Sequence, residues 1–245
     1  MTRLSVNVNK IATLRNSRGG RLPSVVEAVE TCIAAGARGI TVHPRADRRH
    51  ITPDDVRDIA GVLAHHSDVE LNIEGDPRQE LIDLVHEVRP NQCTLVPVQP
   101  GEITSQAGWR PGSGTEAVPK LVASLRSAGI RVSLFVDPSP EPIAWAASIG
   151  AHRVELYTEP YARAFEQGPH RARDSFDHYA QAARLAHEVA LGVNAGHDLD
   201  LENLVLFRTL PHLDEVSIGH AIVSRAVFVG LSTVVREYLE RLADV

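Results

Sequence analysis

The sequence lacks the features that identify several large classes of protein. Its only two cysteines, Cys32 and Cys93, are far apart and form no CxxC pair, so neither a disulfide framework nor a structural zinc site is indicated. No run approaches the roughly 18 apolar residues that a membrane-spanning helix needs. Residues 1–10 do not have the charged start and long apolar stretch of a secretion signal. We therefore expect a cytoplasmic chain with no membrane partner.

An excess of positive charge is also absent. The 245 residues include 25 Lys and Arg against 31 Asp and Glu, which gives a formal net charge of -6. Charges of both signs are interspersed, which excludes the broad basic surface of a nucleic-acid-binding protein. A hydrophobic content of 43% and a charged content of 23% are typical of a soluble globular protein with a full core.

Short runs rich in apolar and β-branched residues alternate along the whole chain with segments of helical spacing. The predicted strands are 4–9, 39–43, 69–74, 92–97, 131–136, 153–157, 192–195 and 215–219. The predicted helices are 24–35, 53–65, 78–88, 115–128, 142–149, 174–190, 201–210 and 220–242. Eight such units with no linker between them favour an α/β fold, a single (β/α)₈ TIM barrel that forms one catalytic domain over residues 1–245.

An open, doubly wound sheet is the alternative architecture. It is disfavoured because residues 9–16, which follow the first predicted strand, read NKIATLRN and lack the G-x-G-x-x-G dinucleotide fingerprint. The longest predicted loop, 98–114, follows the fourth strand and is rich in Gly and Pro. Loops of this length often serve as lids over active sites.

Polar residues recur at alternate positions near the ends of the predicted strands. The set consists of Asn7, Asn9, Thr41, His43, Asn72, Glu74, Thr94, Ser133, Glu155, Asn194 and Ser217. Alternate residues of a strand share one face, and barrel active sites lie at the carboxyl ends of the strands. An unpaired polar group in a dry interior costs about 1 to 3 kcal/mol. We therefore expect a hydrogen-bonded, partly hydrated interior that leads to a site near His43, Glu74, Glu155 and His197.

Several chemical roles are open to these four residues. Burial raises the pKa of a carboxyl group, which suits Glu74 and Glu155 to proton transfer. An ordinary histidine titrates near pH 6.5, so His43 and His197 could serve as acid or base groups. Two carboxylates and two imidazoles could also form a divalent-metal site, and each residue alone could be a satisfied structural contact.

Two places near the same strand ends could bind phosphate. Basic residues follow the first two strands, namely Arg15, Arg18, Arg45, Arg48, Arg49 and His50. Guanidinium groups bind phosphate in a bidentate geometry. After the last strand, Gly219 and His220 pass directly into a helix, whose first backbone amides attract anions. Two anion sites at one opening indicate two phosphorylated substrates, or one substrate with two phosphates.

Long motifs give the chain a specific family resemblance. They are VNVNKIATLRN at 6–16, GITVHPRADRRHI at 39–51, LVP at 95–97, VSLF at 132–135, VNAGH at 193–197 and IGHAI at 218–222. Together they resemble the pyridoxine 5'-phosphate synthase family over essentially the whole chain. The resemblance implies a (β/α)₈ barrel that forms homo-oligomers, usually octamers, with no metal and no organic cofactor. It also implies two substrates, 3-amino-2-oxopropyl phosphate and 1-deoxy-D-xylulose 5-phosphate, which yield pyridoxine 5'-phosphate, phosphate and water.

The resemblance also implies a role for each site residue. His43 and Glu74 would accept protons, His197 would donate a proton, and Glu155 would stabilise a transition state. The residues implied to hold the amino-ketone phosphate are Asn7, Arg18, Gly219 and His220. Those implied to hold the sugar phosphate are Arg45, His50 and Thr104, with Asn9, Lys10 and Asp198 as further substrate contacts.

The chain departs from the family pattern at two places. Asn9-Lys10 stands where many relatives carry Asp-His, so an amide and an ammonium replace a carboxylate and an imidazole. Asp198 stands where relatives carry Gly, and a carboxylate beside His197 favours the protonated imidazole. Two other functions remain open from the residues alone: a metal-dependent sugar-phosphate isomerase or aldolase, and a noncatalytic barrel that binds phosphosugars.

Overall fold

Eight parallel strands form a closed barrel in chain order, in which each strand pairs with the next and β8 pairs with β1. The computed structural model describes residues 2–97, 107–112 and 114–243. The strands are β1 (Arg3–Asn7), β2 (Gly39–Val42), β3 (Glu70–Gly75), β4 (Gln92–Leu95), β5 (Arg131–Val136), β6 (Arg153–Leu156), β7 (Gly192–Gly196) and β8 (Leu213–Ile218). The predicted (β/α)₈ fold is therefore confirmed.

Eleven helices surround this barrel in the described ranges. They are α1 (Asn9–Asn16), α2 (Val25–Ala34), α3 (Pro53–Leu63), α4 (Gln79–Val88), α5 (Val118–Ser127), α6 (Pro140–Ser148), α7 (Glu159–Glu166), α8 (Pro169–Glu188), α9 (Leu204–Phe207), α10 (His220–Val229) and α11 (Leu231–Ala243). In the part of the chain that the structure describes, none of the helices has the length and apolar character needed to cross a membrane.

The strands bury two different faces, as their period of two predicts. Val6, Val42, Ile73, Val154 and Val193 are fully buried in one apolar core cluster, which also contains residues of the surrounding helices. The alternate positions carry polar side chains that contact one another inside the barrel. The barrel interior is thus polar, while the apolar core lies between the barrel and its helices.

The first predicted strand is too long, because the chain turns into α1 at Asn9. The side chain of Asn7 accepts a hydrogen bond from the backbone N–H of Asn9 at 3.0 Å, which satisfies one free donor at the start of α1. Asn9 therefore lies on a helix and not on the inward face of β1.

Other helices also differ from the predicted ones. Helix α7 was not expected, and α8 begins at Pro169, before the predicted start at 174. Proline at this first helical position loses no hydrogen bond, because that N–H has no partner within a helix. The predicted helix 220–242 is two helices, since Gly230 has a φ of 86° and ends α10.

Most of the predicted lid, 98–114, lies outside the described residues. Its described part is attached to the barrel through Trp109. The backbone N–H of Trp109 donates to the carbonyl of Phe135 at 2.8 Å, and its indole N–H donates to the carbonyl of Leu95 at 2.9 Å. This segment therefore joins the ends of β4 and β5.

Candidate active site

The four predicted catalytic residues lie at or near the carboxyl ends of four strands, an end called the barrel mouth here. His43 follows β2, Glu74 lies near the end of β3, Glu155 lies in β6 and His197 follows β7. His43 and Glu74 are each 9% exposed and Glu155 is 4% exposed, whereas His197 is exposed as a whole residue. The closed barrel brings together residues that are far apart in sequence.

His43 follows the end of β2 and is held by the first residue of α1. Its backbone N–H donates to the side-chain oxygen of Asn9 at 2.9 Å, and its ring lies 6.3 Å from the ring of His50 in an edge-on arrangement. Burial lowers the pKa of His43 well below its usual value, and the charges of His50 and Arg45 contribute to a smaller extent. At neutral pH the imidazole is therefore neutral and able to accept a proton.

Glu74 is positioned by a hydrogen-bonded chain inside the barrel. The side-chain amide of Asn72 donates to Glu74 Oε1 at 3.4 Å, and Thr94 Oγ1 donates to Asn72 Oδ1 at 3.0 Å. The second bond fixes the amide so that its nitrogen faces Glu74. Burial raises the pKa of Glu74 well above its usual value, and the charges of Glu155 and Glu215 contribute to a smaller extent.

Glu155 lies deeper in the barrel than Glu74. Burial, followed by the charge of Glu215, raises its pKa to about 8, so it carries a proton at neutral pH. Its Oε2 atom is buried and has no hydrogen-bond partner within the described ranges. A buried, protonated carboxyl group of this kind can donate a hydrogen bond to a substrate oxygen.

His197 has a left-handed backbone, with a φ of 57°, immediately after β7. Its backbone N–H donates to the carbonyl of Ser217 at 3.1 Å. The surrounding protein atoms lower the pKa of His197, and this desolvation outweighs the opposite effect of Asp198. Asp198 therefore favours the protonated form of His197, as expected, but burial has the larger effect and the net pKa is lowered. Oδ2 of Asp198 is itself buried, with no hydrogen-bond partner in the described part of the chain.

Two residues predicted to hold the amino-ketone phosphate lie against each other. A Cβ atom at Gly219 would lie 2.8 Å from the carbonyl oxygen of Asn7 and 2.9 Å from its Cβ, so only glycine fits. His220 begins α10 beside them and is exposed, with its ring nitrogen 3.5 Å from Ser224 Oγ. Arg18 is exposed in the turn after α1.

The residues predicted to hold the sugar phosphate are divided between two segments. Arg45 and His50 follow β2 and are each 9% exposed. Burial and the charge of Arg45 lower the pKa of His50 to about 4, so its ring is neutral. Lys10 is exposed on α1, and its charge lowers the pKa of both His50 and His197. Thr104 lies outside the described residues.

Fewer basic side chains than expected are available for phosphate after the first two strands. Arg15 forms a bidentate ion pair with Asp55, the residue that completes the capping box of α3. Arg48 pairs with Glu80 at 2.9 Å. Arg49 pairs with Asp47 at 2.5 Å. Carboxylates therefore already bind these three guanidinium groups.

A second polar layer closes the opposite end of the barrel, and the sequence analysis did not identify it. This layer, called the barrel floor, consists of Arg3, Glu70, Gln92, Arg131, Arg153 and Glu215. Arg3 pairs with Glu70 at 2.8 Å, and Glu70 also pairs with Arg131. Arg131 Nε donates to Gln92 Oε1 at 2.8 Å. Extending the period-two pattern toward the start of each strand would have placed these residues inside the barrel.

The described residues contain no group of three or more His, Cys, Asp or Glu side chains arranged to hold a metal ion. A cavity of about 610 Å³ lies elsewhere, outside the barrel near α7, α8 and α9, and Phe165, Arg173 and Leu206 help to line it. It contains none of the predicted site residues.

Comparisons of the sequence with known proteins agree on one family. The family model described as "Pyridoxal phosphate biosynthesis protein PdxJ" matches residues 4–244. A pyridoxine 5'-phosphate synthase of Christiangramia forsetii is 49% identical over 99% of this chain and 100% of its own length. A protein of the same name from Bacteroides thetaiotaomicron is 50% identical over 97% of this chain and 98% of its own.

Solved structures support the fold. Phosphoribosyl anthranilate isomerase from Thermotoga maritima has a TM-score of 0.62 and 14% identity, with all of both chains covered. Thiamine phosphate pyrophosphorylase from Pyrococcus furiosus has a TM-score of 0.63 and 13% identity over 98% of this chain and 95% of its own. At this level of identity, these likenesses show the barrel architecture alone.

Proposed function

We propose that this protein, which belongs to the PdxJ family of pyridoxal phosphate biosynthesis proteins, synthesises pyridoxine 5'-phosphate. The observation that carries this conclusion is the full-length identity of about half to relatives of that name. The barrel mouth supplies suitable chemistry, since two buried carboxyl groups and two imidazoles meet at one opening. The whole chain, 1–245, then forms one catalytic domain that acts in the cytoplasm.

The substrates are 3-amino-2-oxopropyl phosphate and 1-deoxy-D-xylulose 5-phosphate, and the products are pyridoxine 5'-phosphate, phosphate and water. Condensation of the amine with the ketone, loss of phosphate and closure of the ring each require proton transfers. A well-placed acid or base accelerates such a step by about 10² to 10⁴. Holding both substrates at one mouth adds an advantage of orientation.

Each mouth residue takes the role that the family resemblance implies, and the surroundings of His43 and Glu155 support theirs. His43 accepts a proton, because burial and nearby positive charge keep its imidazole neutral. Glu74 also accepts a proton, since a raised pKa makes its carboxylate a stronger base once it is ionised. His197 donates a proton to a leaving group, and protonated Glu155 stabilises developing negative charge by hydrogen bonding.

The two phosphates bind on different sides of the mouth. Asn7, Gly219 and His220 hold the amino-ketone phosphate at the start of α10, where the close packing of Gly219 on Asn7 fixes the position of the first backbone amides. Arg18 reaches the same group from the turn after α1. Arg45 and His50 hold the sugar phosphate, and a guanidinium that is only 9% exposed binds phosphate strongly because little water competes.

Further contacts to the sugar come from Asn9, Lys10, Thr104 and Asp198. No metal and no organic cofactor takes part in these steps. The protein assembles into a homo-oligomer, an octamer by family resemblance. Support for self-association comes from α10, where Val227 is 70% exposed and Phe228 is 86% exposed.

The activity is tested by incubating chelator-treated protein with both substrates and measuring pyridoxine 5'-phosphate and inorganic phosphate. We expect the two products in equal amounts, and none when either substrate is omitted. Unaltered substrates recovered from folded protein would contradict the proposal and favour a noncatalytic phosphosugar-binding barrel. Activity that chelation abolishes and a divalent metal restores would instead favour the metal-dependent alternative.

A further inference from the structure

Two buried glutamates inside the barrel are separated by one asparagine on the strand between them. In the strand register, Glu155 of β6 is the partner of Asn194 of β7, and Asn194 is the partner of Glu215 of β8. The three residues are 4%, 1% and 3% exposed. Glu215 belongs to none of the roles described above, yet a carboxyl group buried so deeply is costly unless it is paired.

Donors surround Glu215 on two sides. Arg3, on the neighbouring strand β1, lies 3.4 Å from its carboxylate. The side-chain nitrogen of Asn194 donates to Glu215 Oε1 at 3.5 Å. Arg153 fixes this orientation, because its guanidinium donates to Asn194 Oδ1 at 2.9 Å and thereby turns the amide nitrogen toward Glu215.

Glu155 has a different environment, although only Asn194 separates it from Glu215 in the strand register. Its Oε2 atom is buried and has no hydrogen-bond partner among the residues that the structure describes. Glu74 of β3 faces Glu155 from the mouth, and Arg153 on its own strand is directed to Asn194. Glu215 is therefore supplied with a cation and an amide donor, whereas in the described part of the chain the buried Oε2 atom of Glu155 has no donor.

We propose that Glu215 is a positioning residue for the reaction, whose buried negative charge keeps Glu155 in the protonated form that stabilises the transition state. In this arrangement Glu215 is the ionised carboxylate beside Arg3, and Glu155 keeps its proton. Two negative charges buried in one barrel interior disfavour each other's ionisation, because little water is present to screen them. The inference extends the proposed function, but its physical basis can be measured without turnover.

The surrounding charges favour this arrangement. Burial and the negative charge of Glu70 raise the pKa of Glu215, whereas the positive charges of Arg153, Arg3 and Arg131 lower it. For Glu155, burial and the charge of Glu215 act in the same direction, and its pKa rises to about 8. The cations beside Glu215 therefore favour its ionisation, whereas burial and the charge of Glu215 both oppose ionisation of Glu155.

The first test compares Glu215→Gln, which removes the charge, with Glu215→Asp, which keeps it. In Glu215→Gln we expect the alkaline limb of the pH profile of kcat to move to lower pH by about one unit, with KM little changed. Glu215→Asp should restore most of the wild-type limb, and Glu202→Gln, at an exposed site, should leave it unchanged. An unmoved limb in active Glu215→Gln would overturn the proposal.

The second test titrates wild-type protein and needs no enzymatic activity. Carboxyl carbons of ¹³C-labelled glutamate are followed by NMR as the pH is raised without substrate. The signals are assigned by their loss in Glu155→Gln and Glu215→Gln, or by proximity to neighbouring spins. We expect Glu215 to ionise first and Glu155 near pH 8. The reverse order, or a Glu155 that ionises near its usual pKa, would overturn the proposal, whatever the enzyme assay shows.

Discussion

Proton transfer at the barrel mouth depends on where each carboxyl group lies inside the barrel. Glu74 is near the opening and receives a hydrogen bond from Asn72 at 3.4 Å, whereas the Oε2 atom of Glu155 is buried with no partner in the described ranges. A hydrogen bond donated to a carboxyl group favours its ionised form, which is the basic form. Burial and the charges of Glu155 and Glu215 nevertheless raise the pKa of Glu74 overall, so Glu74 can accept a proton only after it has ionised.

Replacing Glu74 by Gln keeps the shape of the side chain but removes its basicity. We expect kcat to fall by about 10² to 10⁴, because proton transfer by a placed base contributes that much, while substrate binding is retained. Steady-state kinetics and calorimetric binding of each substrate separate the two effects. Glu80→Gln, an exposed change on α4, is the control and should keep full turnover. Equal turnover in Glu74→Gln and wild type would remove Glu74 from the mechanism.

The raised pKa of Glu155 also predicts how stability changes with pH. Between its unfolded value near 4.5 and its folded value of about 8, the folded protein holds a proton that the unfolded chain has lost. The free energy of unfolding therefore falls as pH rises through this range, by about 1.4 kcal/mol per pH unit from this group. Above the folded pKa this loss is complete.

Glu155→Gln removes this contribution, so its stability should change less with pH than that of wild type. Urea unfolding at pH 5 and pH 9 measures the difference, and we expect the variant to gain stability relative to wild type at the higher pH. Glu202→Gln controls for the loss of one negative charge at an exposed site. Parallel pH dependence in wild type and Glu155→Gln would show that Glu155 ionises normally in the folded protein.

At the scale of elements, the site depends on how the first and last strands meet. β1 and β8 pair through the closure of the barrel, and Gly219 at the end of β8 packs directly on Asn7 at the end of β1. Helix α10 begins at the next residue, so this contact sets the position of its first backbone amides. A change of one methyl group at this contact should therefore affect phosphate binding.

Gly219→Ala places a Cβ atom 2.8 Å from the carbonyl oxygen of Asn7, and backbone atoms do not yield as a flexible side chain does. We expect kcat/KM for the amino-ketone phosphate to fall by about 10²-fold, as a misplacement of about 1 Å can cause. Gly61→Ala, in α3, is the control because a Cβ there would meet nothing within 4 Å. It should keep full activity and gain about 1 kcal/mol in stability from better helix propensity.

The elements that were predicted correctly have strong local patterns. β2 and β3 are recognisable because apolar residues alternate with Thr41, Asn72 and Glu74, and the position of Glu74 in the site follows directly. α1 was missed because the alternation of β1 continues through VNVN, and only the hydrogen bond from Asn9 to the side chain of Asn7 ends the strand. That bond forms in three dimensions and leaves no periodic signal in the sequence.

The whole molecule adds what no single element determines. Barrel closure places Arg3 of β1 beside Glu215 of β8, residues at opposite ends of the chain. In the sequence, charged residues at the starts of strands are typical of solvated ends, so the barrel floor was not predicted. The same limitation applies to Arg15, whose pairing with Asp55 joins α1 to α3. Long-range ion pairs depend on the tertiary arrangement, which the local sequence pattern does not specify.

Self-association is the prediction that belongs to this scale. Val227 and Phe228 are 70% and 86% exposed on α10, and burial of one large apolar side chain contributes about 1.5 to 3 kcal/mol. In a two-fold symmetric contact each residue occurs twice, so one substitution has a doubled effect. Phe228→Asp should therefore lower the oligomer mass measured by light scattering during gel filtration. Ser127→Asp, which adds the same charge at an exposed site on α5, should leave that mass unchanged, and an unchanged mass in Phe228→Asp would place the subunit contact elsewhere.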